Sequence, residues 1–310
     1  MKAGQTRALL EELAGRKLLV VTGKGGVGKS VVAATLGRLL GRAGRRVLLL
    51  EVDPRESLHQ LLGVPPSGGE VVGVDRGLSL QNLPPRRVLD DVVREHLRIG
   101  PLVRRVLASP VYHHFVDGAP GLKELAVLGH ALRLVHGWGG RRRGNSDLVI
   151  LDAPATGHSV SLLAAPGVTV GVIPHGPFGH MARELTEFVA DPGRCAIVAV
   201  TLAEEMPVQE TIELLDLLEG RLGRAPQAVV VNGLYPLIEA GRTGTGRQNG
   251  VDLAVRRRRV NDEEMARLGE HWRGPLVELP LLPIDRGPEL VAALAPRLAV
   301  ALGAAAGERE

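Results

Sequence analysis

The chain has 310 residues, 45% of them hydrophobic, which provides enough apolar material for a large buried core and argues against an intrinsically disordered protein. Residues 1–16 lack the apolar stretch of a secretory signal, and no run reaches the ~18 apolar residues that a membrane span requires, so we expect a cytoplasmic protein. The positive charge, +4 net, is partly concentrated in arginine runs at 141–143 and 256–259, which we interpret as solvated loops. A nucleic-acid partner is disfavoured but not excluded, because only 2% of the residues are aromatic and able to stack on bases.

The first predicted elements enclose a glycine-rich motif. An apolar run at 18–21 predicts a buried strand, an apolar-periodic segment at 31–40 predicts a helix, and the sequence GKGGVGKS stands between them at 23–30. This is the G-x-x-x-x-G-K-S pattern of a phosphate-binding loop (P-loop), in which backbone N–H groups and a helix N-terminus face phosphate oxygens. In such a loop Lys29 contacts the β- and γ-phosphates of ATP, and the hydroxyl of Ser30 binds Mg²⁺. The predicted nucleotide-binding residues here are Gly23, Lys24, Gly25, Gly26, Val27, Gly28, Lys29, Ser30 and Val31.

A second lysine, Lys24, follows the first glycine of the loop, where ordinary P-loops tolerate almost any residue. A cation at this end of the loop points away from the nucleotide of its own chain. Its target is then the phosphate held by a second copy across a dimer interface. We therefore predict a homodimer with nucleotide at the interface, in which dimerisation gates hydrolysis and both Lys24 and Lys29 contribute to catalysis.

The apolar run at 47–50 predicts the next strand, and Asp53 follows it closely. In a doubly wound sheet this position lies beside the P-loop. A carboxylate there can orient the attacking water or accept its proton during phosphoryl transfer. A helix N-cap before Pro54 is an equally good interpretation of Asp53 when the residue is taken alone.

Residues 86–138 interrupt the alternation of strands and helices. Their patterning is mostly helical, with stops at 100–101, 109–110 and 118–121. We predict an inserted helical subdomain within a single domain that spans 1–310. Its apolar positions at helical spacing either line a groove or pack in a core. These positions are Val88, Leu89, Val92, Val93, Leu97, Leu122, Leu125, Leu132 and Val135.

The apolar run at 148–151 predicts a strand that leads into Asp152. An aspartate at this place is the Walker B pattern, in which the carboxylate holds a water ligand of Mg²⁺. The residues that follow can form a switch loop, because Gly157 permits unusual dihedrals and backbone donors can sense the γ-phosphate. We interpret His158 as part of this switch and not as a base.

Three more apolar runs, at 168–173, 196–200 and 228–231, predict strands buried on both faces. Helical patterns at 181–189 and 208–222 lie between them, as the crossovers of a parallel sheet require. The predicted fold class is therefore α/β, with a doubly wound, mostly parallel sheet flanked by helices, of the P-loop NTPase type.

The remaining segments predict loops, a last helix and a structural thiol. Glycine-rich stretches at 139–145 and 241–250 predict loops, and 289–302 predicts a helix that packs on the sheet. The single cysteine, Cys195, excludes a disulfide or a C-x-x-C zinc site within one chain. Because Cys195 opens an apolar run, we expect it to be buried.

Six segments together carry a resemblance to a known family. They are KGGVGKS (24–30), EVDPRESL (51–58), DAPATGH (152–158), TLAEEMPVQET (201–211), VVVNGLYP (229–236) and LPLLPIDRGPEL (279–290). In this order they resemble the arsenical pump and tail-anchored-protein targeting ATPases, which have a deviant P-loop. The segment PGLKELAVLGHAL at 120–132 is also similar to the helical subdomain of that family.

This resemblance implies roles for five residues. Lys24 is similar to the family's lysine that reaches the partner's nucleotide, Asp53 to the catalytic aspartate of switch I, and Asp152 to the magnesium-associated aspartate of switch II. Glu210 falls at the family's glutamate that contacts the partner's nucleotide, and Asn232 at its adenine-reading asparagine. A solvated carboxylate on a helix surface and a cap or turn after a strand remain the alternatives for Glu210 and Asn232.

The chain departs from two branches of the family. Arsenite-binding members use clustered cysteines, and the fungal and animal targeting ATPases close their dimers with a C-x-x-C zinc clasp; a chain with one cysteine can do neither. Like many bacterial relatives, it would rely on packing and nucleotide for its dimer, with ATP and Mg²⁺ as cofactors.

The leading functional hypothesis is an ATP-hydrolysing dimeric switch that binds and releases a protein client, such as a hydrophobic helix. A spatial regulator of the partitioning type, which binds DNA or membrane, is one alternative. The driving subunit of a membrane pump, with a membrane partner, is the other.

Overall fold

The strands of the described chain form one sheet. In the computed structural model, the described residues are 3–52, 56–97, 99–119, 121–136, 146–153, 158–237 and 248–303. The strands are β1 (Leu18–Thr22), β2 (Val47–Glu51), β3 (Val72–Asp75), β4 (Leu78–Asn82), β5 (Leu148–Asp152), β6 (Cys195–Leu202), β7 (Ala228–Leu234) and β8 (Leu276–Pro280). Their order across the sheet is β3-β4-β2-β5-β1-β6-β7-β8. Only β3 and β4 pair in antiparallel fashion, so the carboxyl ends of the other strands lie along one edge with that of β4.

Helices connect these strands. They are α1 (Ala3–Gly15), α2 (Lys29–Arg42), α3 (Leu58–Leu62), α4 (Pro85–Leu97), α5 (Gly100–Leu107), α6 (Pro110–Gly118), α7 (Leu122–His136), α8 (His158–Val172), α9 (Gly176–Ala190), α10 (Glu205–Leu222), α11 (Gln248–His271) and α12 (Pro288–Ala301). Within the described ranges, none of them combines the length and the apolar character that a membrane-spanning helix requires.

Helices cover both faces of the central strands. Leu18 and Val20 of β1 pack in the cluster that includes α4, α7, α8 and α9. Leu19 and Val21, which alternate with them, pack in the cluster that includes α1, α2, α3 and α12. Burial on both faces explains why these strands are uninterrupted apolar runs. The predicted α/β P-loop fold, with a doubly wound and mostly parallel sheet, is confirmed.

One predicted strand is wrong. Residues 168–173 lie mainly in the last turns of α8, where Val168 and Val172 are exposed. Thr169 is buried and its hydroxyl donates to the carbonyl oxygen of Ala165, one helical turn earlier. The β-branched composition that favours a strand is therefore overridden by helical packing.

The arginine run at 256–259 does not form a loop, which corrects the sequence interpretation. It lies within α11, and Arg258 and Arg259 form ion pairs with Asp262 and Glu263, one helical turn further on. Such pairs at i and i+4 support a helix. The predicted loop at 241–250 is helical from Gln248 onward, and its other residues lie outside the described ranges, as do all those of 139–145.

The segment from α4 to α7 is helical, as its patterning predicts. Its apolar stripes are mostly core. The stripe residues that are buried in the cluster shared with the sheet are Val88, Leu89, Leu122, Leu125, Leu132 and Val135. Of the two interpretations of these stripes, core packing is therefore the right one. Whether the segment acts as a separate subdomain stays a prediction.

The two outermost strands are short and partly exposed. The pairing of β3 with β4 is irregular between Gly73 and Asp75. On the other side, β8 alternates buried and exposed residues, exposes Glu278 and ends at Pro280. The single thiol, Cys195, is buried at the start of β6, and burial raises its pKa to about 12, as expected for a structural cysteine.

Candidate functional site

A cleft lies at the carboxyl edge of the sheet, where the loop after β1 leads into α2. β1 pairs with β5 in parallel, with Val21 opposite Asp152, so the end of β5 is brought to the P-loop. The cleft has a volume of about 370 Å³. The described residues that line it are Gly26, Gly28, Lys29, Ser30, Val31, Ser57, Asp152, Ala153, Arg286 and Leu290. Half of these belong to the predicted P-loop set.

The side chain of Lys29 is buried beside this cleft. Its ammonium donates a hydrogen bond of 2.8 Å to the backbone carbonyl oxygen of Lys24. Burial lowers the pKa of Lys29 below its ordinary value, and the carboxylate of Asp152 acts in the opposite direction. A buried ammonium has three donors, so this geometry suits Lys29 to an anionic ligand in the cleft.

Ser30 and Asp152 meet in the cleft. The hydroxyl of Ser30 donates a hydrogen bond of 2.6 Å to Oδ2 of Asp152, across 122 positions of sequence. Hydroxyl and carboxylate oxygens next to a phosphate loop are the hard donors that Mg²⁺ accepts beside phosphate and water. The residues present therefore fit a magnesium nucleotide, and the roles of Ser30 as a direct ligand and of Asp152 as the holder of a water ligand stay predictions.

A second hydroxyl, that of Ser57, also lies in the cleft, 3.4 Å from the hydroxyl of Ser30. It is held by Glu51, the last residue of β2. Oε1 of Glu51 accepts hydrogen bonds from the backbone N–H of Ser57 (2.6 Å), from its hydroxyl (2.8 Å) and from the N–H of Leu58 (3.2 Å). Glu51 is only 1% exposed and is in register with Asp152 on β5.

Motif matching misses both Glu51 and Ser57. The sequence does contain one signal for them, the glutamate that ends the apolar run of β2. A carboxylate buried at the end of a strand must accept hydrogen bonds from donors nearby. The structure shows those donors at the start of α3, six and seven residues later. Glu51 therefore connects the end of β2 to the cleft.

Asn232 of β7 contacts the P-loop directly. Its Nδ2 donates a hydrogen bond of 3.0 Å to the carbonyl oxygen of Val27. Gly28, which precedes α2, has φ 90°, and a Cβ at this position would come within 2.2 Å of Nδ2 of Asn232. Only glycine combines that dihedral with that close approach. Asn232 thus supports the loop, and its contact with adenine stays a prediction.

Lys24 lies outside the set of described residues that line the cleft. Its ammonium forms an ion pair of 3.0 Å with Glu210 of α10. The side chains are 40% and 26% exposed, so the pair is close to solvent. The two residues that the resemblance assigns to the partner's nucleotide are therefore neighbours on one surface of the chain.

Some predicted site residues fall outside the described part of the chain. Asp53 is one of them, as are residues 154–157 of the predicted switch loop. The described part adds Arg286 and Leu290 to the cleft, both from the segment 279–290 that helped to carry the resemblance.

Comparison with known sequences agrees with this geometry. The profile of the anion-transporting ATPases matches residues 16–173, about half of the chain, including the P-loop and the strand that ends in Asp152. The chain belongs to the anion-transporting ATPase family. The family predicted from the six segments is confirmed.

Individual members of the family are similar over most of this chain. ATPase BagA of Mycobacterium tuberculosis is 32% identical over 211 residues, which cover 66% of this chain and 61% of that protein. An arsenical pump-driving ATPase of Escherichia coli is 28% identical over 241 residues, or 72% of this chain and 40% of that protein. The arsenical pump-driving ATPase of Acidiphilium multivorum is 29% identical, again over 72% and 40%. The chain thus spans about half the length of the relatives it matches.

Proposed function

We propose that this protein binds Mg·ATP in the cleft and hydrolyses it as a homodimeric switch. The observation that carries the proposal is the convergence of Lys29, Ser30 and Asp152 on one cavity at the carboxyl edge of the sheet. Lys29 and the loop N–H groups would neutralise the β- and γ-phosphates, and Ser30 and Asp152 would hold the magnesium side. Bound Mg²⁺ supplies further charge neutralisation of the phosphates. Asp53, placed just after β2, would orient the attacking water or take its proton.

The position of Lys24 supports a dimer. Its ammonium is turned to Glu210 on a solvent-facing surface and does not line the cleft of its own chain. An exposed ion pair of this kind contributes roughly 0–1 kcal/mol, so the lysine is readily released. In an isologous dimer, each chain would then supply Lys24 to the nucleotide of the other.

Mixing two inactive variants tests whether Lys24 acts across the interface. Lys24→Ala and Asp53→Ala should each bind ATP and hydrolyse it very slowly. In a mixed dimer, however, the site of the Lys24→Ala chain keeps its own Asp53 and receives Lys24 from the other chain. With random pairing, half of the dimers are mixed and each has one competent site, so the mixture should recover about a quarter of wild-type turnover.

The control is a mixture of Lys29→Ala with Asp53→Ala. Lys29 and Asp53 would both act on the nucleotide bound by their own chain. In a mixed dimer, one site then lacks Lys29 and the other lacks Asp53, so this mixture should recover no activity. Absence of recovery in the first mixture would show that Lys24 acts within its own chain. ATP turnover measured at several protein concentrations reads out both experiments.

We further propose that residues 86–138 form the helical subdomain that couples the nucleotide state to a protein client. α5 has no buried residue, and Ile99, Leu102 and Val111 are 60%, 41% and 77% exposed around it. Neighbouring apolar side chains of this kind suit the apolar face of a client helix. The apolar character of α5 and the start of α6 thus supports a client site more directly than the buried stripes of α4 and α7.

Binding of a fluorescent hydrophobic helical peptide tests the client site. The double variant Leu102→Glu/Val111→Glu should weaken binding at least about ten-fold, because two apolar contacts are replaced by charges that must be desolvated. The matched control is Leu217→Glu/Val300→Glu, which adds two charges at exposed apolar positions of α10 and α12. Equal effects of the two double variants, with ATP turnover intact, would refute the client site and leave the ATPase proposal standing.

A further inference from the structure

A second cleft lies at the opposite edge of the sheet, where β2 and β4 begin. It has a volume of about 600 Å³, and the described residues that line it are Gly41, Arg42, Gly44, Arg45, Arg46, Asp75, Arg76 and Gly77. They belong to two segments, the end of α2 with its connection to β2 and the turn between β3 and β4. Parallel pairing of β2 with β4 brings these segments together, with Val47 opposite Leu78.

A glycine allows the two segments to approach closely. The N–H of Val47 donates a hydrogen bond of 2.8 Å to the carbonyl oxygen of Gly77. Gly77 has φ 79°, and a Cβ there would come within 2.8 Å of the carbonyl oxygens of Arg45 and Gly41. Any other residue would force the turn away from α2. The arginines of both segments are therefore held around one cavity.

The acidic residues nearby are already paired with other arginines. Asp147 accepts two hydrogen bonds from the guanidinium of Arg46, at 2.6 and 3.2 Å, and these bonds hold the pKa of Asp147 at about 2. Asp75 has Arg38 as its neighbour, with Nε and Oδ2 3.9 Å apart. Neither carboxylate forms an ion pair with the guanidinium of Arg42, Arg45 or Arg76, although the charge of Asp147 also acts on Arg45 from further away.

Three guanidinium groups remain, those of Arg42, Arg45 and Arg76. Among the described residues, none of the three side chains has a hydrogen bond or a carboxylate within ion-pair distance, and Nε of Arg45 is buried without an acceptor. Attraction to the C-terminus of α2 accounts for Arg42 in its last turn, but not for Arg76, which comes from a different segment. Three like charges held around one cavity with a buried donor indicate an anionic ligand.

We propose that this arginine cleft binds a phosphate group with at least two negative charges, either free or as the headgroup of a lipid. Guanidinium forks match phosphate oxygens in geometry and charge. No aromatic or aliphatic side chain is among the described lining residues, so the cleft recognises the phosphate and not an attached ring or chain. The site lies at the edge opposite the P-loop and is independent of the nucleotide.

Calorimetric titration with inorganic pyrophosphate, without magnesium, tests the site. All proteins carry Lys29→Ala, so that the P-loop contributes little. Arg42→Gln/Arg76→Gln should lower the affinity at least about ten-fold, since charge-assisted hydrogen bonds from two guanidinium groups are lost. The control is Arg256→Gln/Arg257→Gln on α11, which removes the same charge from exposed positions. Its affinity should stay within about two-fold of the parent, because only the overall field changes.

A parallel arm uses phosphatidylcholine vesicles with and without phosphatidic acid. Saturable pyrophosphate binding that depends on Arg42 and Arg76 supports a free phosphate ligand. Binding only to phosphatidic acid vesicles, with the same dependence, supports a lipid headgroup. Equal losses in the two double variants, or no saturable binding in either arm, overturn the proposal. Thermal unfolding of each variant identifies any loss that is due to misfolding, and in that case the single variant Arg76→Gln replaces the double one.

Discussion

Replacement of Glu51 tests how the hydroxyl of Ser57 is held in the nucleotide cleft. Glu51→Ala removes the acceptor of three hydrogen bonds, two of them from backbone N–H groups. An unsatisfied buried donor costs about 1–3 kcal/mol, and the N–H of Leu58 is fully enclosed while that of Ser57 is close to the cleft. With the cavity left by the side chain, we expect a loss of about 3–4 kcal/mol in the free energy of unfolding.

Glu51→Gln is the matched variant. Its carbonyl oxygen can occupy the place of Oε1 and keep the three bonds, which become weaker because the charge is lost, while the cost of burying a charge is relieved. We expect a loss below about 1.5 kcal/mol, since neutral hydrogen bonds contribute less than charged ones. Urea denaturation at neutral pH measures both variants. Ser57→Ala removes one of the three bonds, so its free energy of unfolding should lie between those of the wild type and Glu51→Gln, or close to that of Glu51→Gln.

ATP turnover gives the second readout for Glu51. If this carboxylate positions Ser57 near Ser30, Glu51→Ala should lower kcat and require more Mg²⁺ for half-maximal rate, with a smaller change in KM for ATP. Glu51→Gln should recover most of the rate. A Glu51→Ala protein that unfolds at the same urea concentration as the wild type would refute the three-bond account, because the buried donors would then have found other acceptors.

Three further predictions concern the loop, the surface ion pair and a partly buried histidine. Gly28→Ala should abolish tight ATP binding and lower stability by at least about 1–2 kcal/mol, because its φ of 90° and the close approach of Asn232 exclude a Cβ; equilibrium nucleotide binding and urea denaturation check this, and wild-type binding would contradict it. Glu210→Gln should change stability by less than about 1 kcal/mol and, by releasing Lys24, lower the protein concentration at which turnover becomes half-maximal; a rise in that concentration would instead favour a direct role for Glu210 at the partner's nucleotide. Burial lowers the pKa of His130 to about 4, below the ordinary value of 6.5, so the unfolded chain takes up this proton at a higher pH than the folded one. The free energy of unfolding should therefore fall by at most roughly 3 kcal/mol as the pH drops from 6.5 to 4. A His130→Gln variant should show a flatter pH profile of unfolding, and an unchanged profile would argue against the shift.

The strands that the sequence predicts correctly are those buried on both faces. β1, β2 and β5 consist entirely of buried residues, so they are visible as apolar runs. β3 and β8 lie at the edges: β3 has no buried residue and β8 has only two, a weak signal that short loops share. The run at 168–173 gives a strong strand signal that is misleading, because its composition favours a strand while packing against its neighbours keeps it in a helix.

The candidate site was predictable where a strand end and a motif coincide. Ser30 and Asp152 are expected to meet because parallel strands place both at one edge of the sheet, and the structure has them in hydrogen-bond contact. The contact of Asn232 with the P-loop and the clamp on Ser57 by Glu51 depend on side-chain packing between segments far apart in sequence. No local pattern encodes such distances, so only the folded chain reveals them.

The edges of the sheet bear on how copies of this chain assemble. An outer strand with unpaired backbone groups invites another chain to extend the sheet, and proteins oppose this with short strands, irregular pairing, charges and proline. β3 has the irregular pairing at Gly73 and Asp75, and β8 has Glu278 and a terminal Pro280. Growth by strand addition, the route to open-ended aggregates, is thereby discouraged on both flanks of the sheet.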